Sequence, residues 1–232
     1  MRAVLALLLL ALTAFGVFQI YILKSIAPLT GEAQLAGLSS GVEIKRDASD
    51  VTHIYAKSPM DAWRAIGYVH AQERGWQLEF NRRLMRGELS EILGAATLDT
   101  DKLMRTLGIR QAAQAHWDRL PAGAKAQVEA YVQGINAFYA EGTQALSPEF
   151  QILQVNPREA AQAGQYWDVL DSMGWSIMMA LDLGGNWGNE FARLSMLQVL
   201  DTAALWQALP PYPGEPPAAS ADLAALYRDL GV

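Results

Sequence analysis

His70 and Glu73 stand one helical turn apart, which places an imidazole and a carboxylate side by side on one helix face. Such a pair can serve as an oriented general base, although a lone helical histidine is more commonly structural. The run from His70 to Arg74 lacks the second histidine of a zinc-binding helix, so a metalloprotease site is unsupported. A metal-dependent hydrolase built on His70 and Glu73 would be chelator-sensitive. His53, in a strand-like stretch, and His116, near a helix end, are weaker candidates. A second oxygen-rich group is Asp182 and Glu190, which flank the glycine-rich turn Gly184 to Asn189 with its amide side chains Asn186 and Asn189. These oxygens suit a hard cation such as calcium, but the spacing is not that of an EF-hand, and helix capping by Asn189 or Asn186 is the commoner role of such residues. The chain has no cysteine, hence no thiolate nucleophile or zinc-thiolate site. No Gly-x-Ser-x-Gly, dinucleotide or P-loop motif occurs. No residue of this chain is therefore assigned a catalytic role.

The elements that must position these groups follow from periodicity. Residues 42–47 and 51–56 alternate with period two around Ala48 to Asp50 and read as a β-hairpin. Ser58, Pro59 and Asp61 form a helix start with a cap, a first-turn proline and a carboxylate three residues on. The helix is predicted to run to about Leu93, stopped by Gly94. Its apolar stripe comprises Ala62, Ile66, Val69, Trp76 and Phe80, with Glu73 in the middle. A carboxylate buried there needs an answering charge, from Arg74, Arg82, Arg83 or a partner chain. Further helices are predicted over 99–117, 122–141, 167–183 and 190–209, with 147–157 an extended loop or short strand. Val128, Tyr131, Val132, Ile135 and Phe138 share one helical face. Residues 210–217 read as a proline-rich linker and 221–231 as a short amphipathic tail.

With 232 residues, 51% of them hydrophobic, the chain can build one core or half of a shared one. A net charge of −6 offers no basic face for phosphates, which argues against nucleic acid. From Ala3 to Leu23 an apolar run interrupted only by Thr13 and Gln19 follows Arg2. It reads as an export signal or a membrane anchor, since it reaches the ~20 residues of a span while signal cores run ~7–15. Either reading puts the remainder outside the cytoplasm, in the periplasm. Segment 1–30 is thus set apart from a domain over 31–209 and a tail over 210–232.

The set Arg46, Asp47, His53, Ile54, Gly67, Tyr68, Ala71 to Arg74, Gln77, Arg82, Arg83, Gly87, Glu91 and Gly94 resembles, in order and spacing, the α chain of the penicillin acylase family, a branch of the N-terminal nucleophile hydrolases. The likeness continues through Gly134 to Ala137, Trp167, Asp171 and Glu190, spanning most of residues 42–200. Three positions depart from it: Asp50 stands where glycine is usual, Thr52 where proline is usual, and Glu73 where aspartate is commoner.

The resemblance implies an α+β fold, the αββα sandwich, to which this chain contributes mostly helices and an N-terminal hairpin. It implies a precursor cut into this α chain and a β chain that begins with a serine nucleophile, acting on a small-molecule N-acyl substrate such as a β-lactam or an N-acyl homoserine lactone. It places the acyl pocket wall at Ala180, Leu183 and Gly184, with core packing of the same residues as the alternative. It makes Glu190 this chain's ligand to a calcium ion held otherwise by the β chain. The rival reading is a membrane-tethered helical interaction protein without catalysis.

Overall fold

A computed structural model of the chain describes residues 2–28, 30–142, 146–185 and 187–209. Helix α1, Arg2–Ser25, leaves Leu7, Leu9, Leu10 and Leu12 exposed. Among the described residues no helix is long and apolar enough to cross a membrane; the side chains at 2, 3, 5, 6 and 24 of α1 lie outside that description. Strands β1, Glu43–Arg46, and β2, Thr52–Tyr55, pair antiparallel with Ile44 opposite Ile54. Their turn carries Asp50 at φ 60°, a left-handed conformation that aspartate tolerates better than most residues and that glycine adopts freely.

Helix α2, Pro59–Arg86, begins where the cap residues predict, with the Ser58 hydroxyl accepting from the Met60 N–H at 3.2 Å. Asp61 does not complete a capping box. Its carboxylate, 1% exposed, accepts instead from the backbone and hydroxyl of Ser39 at 2.9 and 2.6 Å, pinning the preceding tether to the helix. The helix stops at Gly87 rather than Gly94. Gly87 takes φ 65°, and a Cβ there would lie 2.6 Å from the Asp101 carbonyl oxygen, so only glycine lets the chain turn under the next helices. Residues Ser90–Leu93 form a separate turn, α3.

The helix expected over 99–117 is likewise divided, into α4, Leu98–Leu107, and α5, Ile109–Arg119, by Gly108 at φ 67°. Helix α6, Ala122–Ala140, matches its prediction. Residues 147–157 hold no strand; Pro148–Ile152 is a short helix, α7, because Pro148 occupies a first-turn position where its missing N–H costs nothing. A second short helix, α8, spans Arg158–Gln162. Helix α9 is Val169–Leu183, and the helix expected over 190–209 is two, α10, Trp187–Met196, and α11, Thr202–Ala208, the latter restarted by an Asp201 cap on the Ala204 N–H. The linker and tail readings over 210–232 fall outside the described residues.

Residues Met1–Met179 form one compact unit and those from Ala180 a second. The first is organised around the crossing of α2 and α6. Gly67 faces the Tyr131 carbonyl and Gly134 faces the Arg64 carbonyl, at separations that no side chain would permit. Around this crossing Tyr68, Val69, Ile135, Phe138, Tyr139, Phe150, Tyr166 and Trp167 are buried. The buried face of α2 is rotated from the expected stripe. Ala65, Tyr68, Ala71 and Met85 are buried with Val69, while Ile66, Trp76 and Phe80 are half-buried, because the glycine contact sets which side of the first part of α2 meets α6 and a kink at Arg74, φ −127° and ψ 25°, re-aims the remainder. Within the second unit Arg193 pairs with Glu190 and lies 5.5 Å from the Trp206 ring centroid.

Candidate functional site

Glu73 is not the buried carboxylate. It lies at the surface end of the hairpin, where Arg46 of β1 donates from Nε at 3.1 Å and Nη2 at 2.5 Å and the Thr52 hydroxyl donates at 3.1 Å. Its partner comes from the strand, not from Arg74, Arg82 or Arg83, because the period of α2 turns position 73 toward the sheet and away from α6. Arg82 and Arg83 answer Glu79 instead, a residue the apolar pattern did not single out. Glu79 is 0% exposed and accepts from Arg82 Nε at 2.9 Å, Arg83 Nε at 2.6 Å and the Tyr166 hydroxyl at 2.8 Å. Arg83 reaches on to Glu91 at 2.8 Å, so the paired arginines brace α2 against the α3 turn. Burial by itself would push the Glu79 carboxyl up; the Arg82 charge, with the bonds from Tyr166 and both arginines, outweighs it and holds the pKa below the usual value.

A second ionic group closes the C-terminal end of α2. Arg86 donates to Asp171 at 2.7 and 2.6 Å, and Arg110 donates to Asp168 at 2.6 Å. Burial keeps the Asp171 carboxyl above its ordinary value despite Arg86, whereas for Asp168 the Arg110 and Arg86 charges win and the pKa is lowered. Asn136 of α6 ties the start of α9, donating to the Trp167 carbonyl at 2.8 Å and accepting from the Trp167 N–H at 3.1 Å. Asp101 accepts from the Leu89 and Ser90 amides at 2.9 and 2.8 Å. Of the sequence signature, Arg46, Glu73, Arg82, Arg83, Glu91 and Asp171 thus act as braces whose charges are paired.

His70 and Glu73 are not brought together as a base pair. The His70 ring is directed to the Tyr131 hydroxyl, 3.0 Å from Nδ1, while Glu73 is held by Arg46. Partial burial lowers the His70 pKa, with the Glu73 charge opposing, and burial pushes Tyr131 up to about 12. His53 pairs with Asp47 at 2.9 Å on the exposed hairpin, and His116 is exposed on α5. Among the described residues no three histidine, aspartate or glutamate side chains are grouped to hold a metal.

Ala180, Leu183 and Gly184 end α9, all exposed, Leu183 at 77%. Glu190 is exposed in the first turn of α10 and carries Arg193 on its carboxylate. Asp182 and Asn189 are exposed, and Asn186 is outside the described residues. One carboxylate already bearing a guanidinium does not make a cage for a cation that takes six to eight oxygens; a calcium site here needs ligands from beyond the described residues.

Comparison with known proteins gives this scaffold a family. The family model for penicillin amidase matches residues 41–225. Penicillin acylase 2 proenzyme of Pseudomonas sp. strain SE83 is 36% identical over 172 residues, covering 74% of this chain and 21% of that protein. Acyl-homoserine lactone acylase QuiP of Pseudomonas aeruginosa is 31% identical over 194 residues, 82% of this chain and 22% of that protein. The chain therefore spans about a fifth of the length of the curated relatives it matches. Thermostable penicillin G acylase from Alcaligenes faecalis shares the fold with a TM-score of 0.58 at 22% identity, over 78% of this chain and 97% of that one. The α+β, mainly helical architecture with its N-terminal hairpin is thus the fold found in that penicillin G acylase. On the match across residues 41–225, the chain belongs to the penicillin amidase family.

Proposed function

We propose that this chain is the α subunit of a heterodimeric amidohydrolase that cleaves N-acyl amides, of β-lactams such as penicillin G or of N-acyl homoserine lactones, with a serine at the N-terminus of a β chain cut from the same precursor. The match to the penicillin amidase family over residues 41–225 carries the reading. In the reaction the serine hydroxyl adds to the amide carbonyl, its proton passing to the serine's own α-amino group. The C–N bond breaks as the amine leaves with that proton, and water then releases the acyl group as a carboxylic acid. This chain supplies none of the reacting atoms. Its role is to hold the frame: the Glu79 and Asp171 ion groups lock α2, α5 and α9. Exposed Leu103 and Leu107 of α4, 53% and 45% exposed and one turn apart, with Trp175 and Met179 of α9, offer apolar surface for the β chain to cover. The apolar run 3–23 acts as an export signal or anchor, and the assembled enzyme works in the periplasm.

Coexpression of this chain with the reading frame that follows Val232, assayed on a small panel of N-acyl substrates, tests the proposal. Hydrolysis that disappears when the first serine of the second chain is replaced by alanine supports it. A frame that closes at Val232, with this chain folding alone and hydrolysing nothing, supports the tethered interaction protein instead.

Two expectations follow for the second unit. If Leu183 lines the acyl pocket with Ala180 and Gly184, Leu183→Arg lowers turnover of aliphatic acyl substrates by about ten-fold or more and spares small aromatic ones, because a guanidinium at an apolar wall lacks a partner. Equal turnover of both classes, measured as kcat/KM, places Leu183 elsewhere. If Glu190 joins ligands of the β chain around calcium, Glu190→Gln reduces bound calcium and the yield of processed enzyme while leaving kcat of the matured fraction within about two-fold. Unchanged calcium content by atomic absorption and unchanged yield would return Glu190 to its pair with Arg193.

A further inference from the structure

Within the first unit, α2, α6, α7 and the end of α1 wall a cleft of about 320 Å³. Three oxygen atoms of its lining residues are buried without a hydrogen-bond partner: Tyr139 Oη, Ser147 Oγ and Glu149 Oε2. Buried polar atoms are almost always satisfied in folded proteins, so three at one cleft require an explanation. Tyr139 is 1% exposed, and its hydroxyl reaches this place only because position 75 is glycine; a Cβ there would sit 2.7 Å from it. The neighbouring Tyr166 hydroxyl spends its proton on Glu79, so toward Tyr139 it offers only an acceptor oxygen, and the Tyr139 lone pairs are left without a donor.

The charge and shape of the walls select the ligand. Two carboxylates, Glu73 and Glu149, line the cleft, with no lysine or arginine among the lining residues. Glu73 is held by Arg46, which leaves Glu149 as the carboxylate with an unmet oxygen. Trp76 and Phe150 meet edge to face with centroids 5.4 Å apart, and Tyr139 lies 6.0 Å from Phe150, so the remaining wall is aromatic. An anion would meet only negative charge here, and a neutral alkane would leave all three oxygens unsatisfied. A primary ammonium carries three N–H donors for three oxygens, a charge for the carboxylate and a stem for the rings. We propose that this cleft binds a primary alkylammonium group, held by Glu149, Ser147 and Tyr139 with its stem against Trp76 and Phe150. The group belongs either to a free amine or to an amine of the polypeptide itself, and the chemistry of recognition is the same.

Calorimetric titration of the full-length protein with butylammonium chloride in phosphate buffer tests the site. Saturable binding is expected, weakened about ten-fold or more by Glu149→Gln and several-fold by Tyr139→Phe. Tetramethylammonium, which has the charge but no N–H donor, should bind about ten-fold more weakly than butylammonium. If the occupant is an amine of the protein, butylammonium does not bind the wild type, and reductive methylation followed by mass spectrometry shows one amine protected in the wild type and reactive in Glu149→Gln. Because Tyr139→Phe keeps the ring and its packing, it stands as the second variant should Glu149→Gln fold poorly. No butylammonium binding together with no protected amine, or binding unaffected by both substitutions, overturns the proposal and leaves the three oxygens to water.

Discussion

Glu79→Gln is expected to destabilise the first unit by about 3–5 kcal/mol, the cost of leaving a buried charge without its counter-charge. Glutamine keeps the length and one acceptor oxygen, so the loss is not one of packing. The Arg82 and Arg83 guanidiniums, 11% and 13% exposed, remain in place with the carboxylate that balanced them gone, and the Tyr166 hydroxyl loses an ionised acceptor. Against a total stability of about 5–15 kcal/mol for a domain, this is enough to cut the yield of folded protein sharply. Denaturant unfolding of the assembled protein measures it, and a loss under about 1 kcal/mol would show that the arginines find water instead.

The same carboxylate predicts an acid limb. Its folded pKa lies below the ordinary value of 4.5, so the folded state gives up the proton more readily than the unfolded chain. Its contribution is complete above the ordinary value and is lost as pH falls through the depressed one. Glu79→Gln should therefore flatten the fall in stability below about pH 4.5, with Asp47, Asp61, Asp101 and Asp168, lowered in the same way, supplying what remains.

Gly134→Ala is expected to cost about 3 kcal/mol, the upper range for overpacking, and to prevent α2 and α6 from meeting as they do. The added Cβ would stand 1.9 Å from the Arg64 carbonyl oxygen and 2.9 Å from the Tyr68 nitrogen, both backbone atoms of the facing helix. No rotamer change relieves a backbone contact, so the helices must separate, and the buried layer of Tyr68, Ile135 and Phe138 separates with them. In a free helix the same substitution would stabilise by about 1 kcal/mol, so the sign of the measured change isolates the crossing. Gly123, on the same helix with nothing within 4 Å of a built Cβ, is the matched control, and Gly123→Ala should raise the melting temperature. A Gly134→Ala protein as stable as the wild type would mean that the α2 and α6 crossing is looser than its geometry indicates.

Much of the local structure was legible in the residues. Ser58 and Pro59 mark the start of α2, the alternation around Asp50 gives the hairpin, and Pro121 and the apolar face from Val128 to Phe138 give α6. These follow from capping, period and φ restriction, which act within a few residues. The helix ends were harder. Gly87 and Gly108 each break a pattern that periodicity continues, because a left-handed residue reverses direction without altering the apolar count on either side. Residues 147–157 read as an extended loop or short strand, yet Pro148 starts a helix there, since proline's meaning depends on whether it falls at the first turn or inside.

The sequence by itself settled the family, the mostly helical α+β class, the hairpin, and the absence of thiol chemistry and of the tested nucleotide and hydrolase motifs, because each of these is written in residue identity and short-range spacing. Only the tertiary structure decided which carboxylates are buried. The stripe of α2 pointed to Glu73, but the close approach of Gly67 and Gly134 sets the face by which the first part of α2 meets α6, and the kink at Arg74 re-aims the rest, so that Glu79 meets Arg82, Arg83 and Tyr166 while Glu73 is held by Arg46. Periodicity fixes the angle between residues on one helix, and the direction of that face in space is set by the helix it meets. The same reason hid the cleft lined by Tyr139, Ser147 and Glu149, residues of α6 and of the start of α7 that share a wall only when those helices are folded against the glycine at position 75.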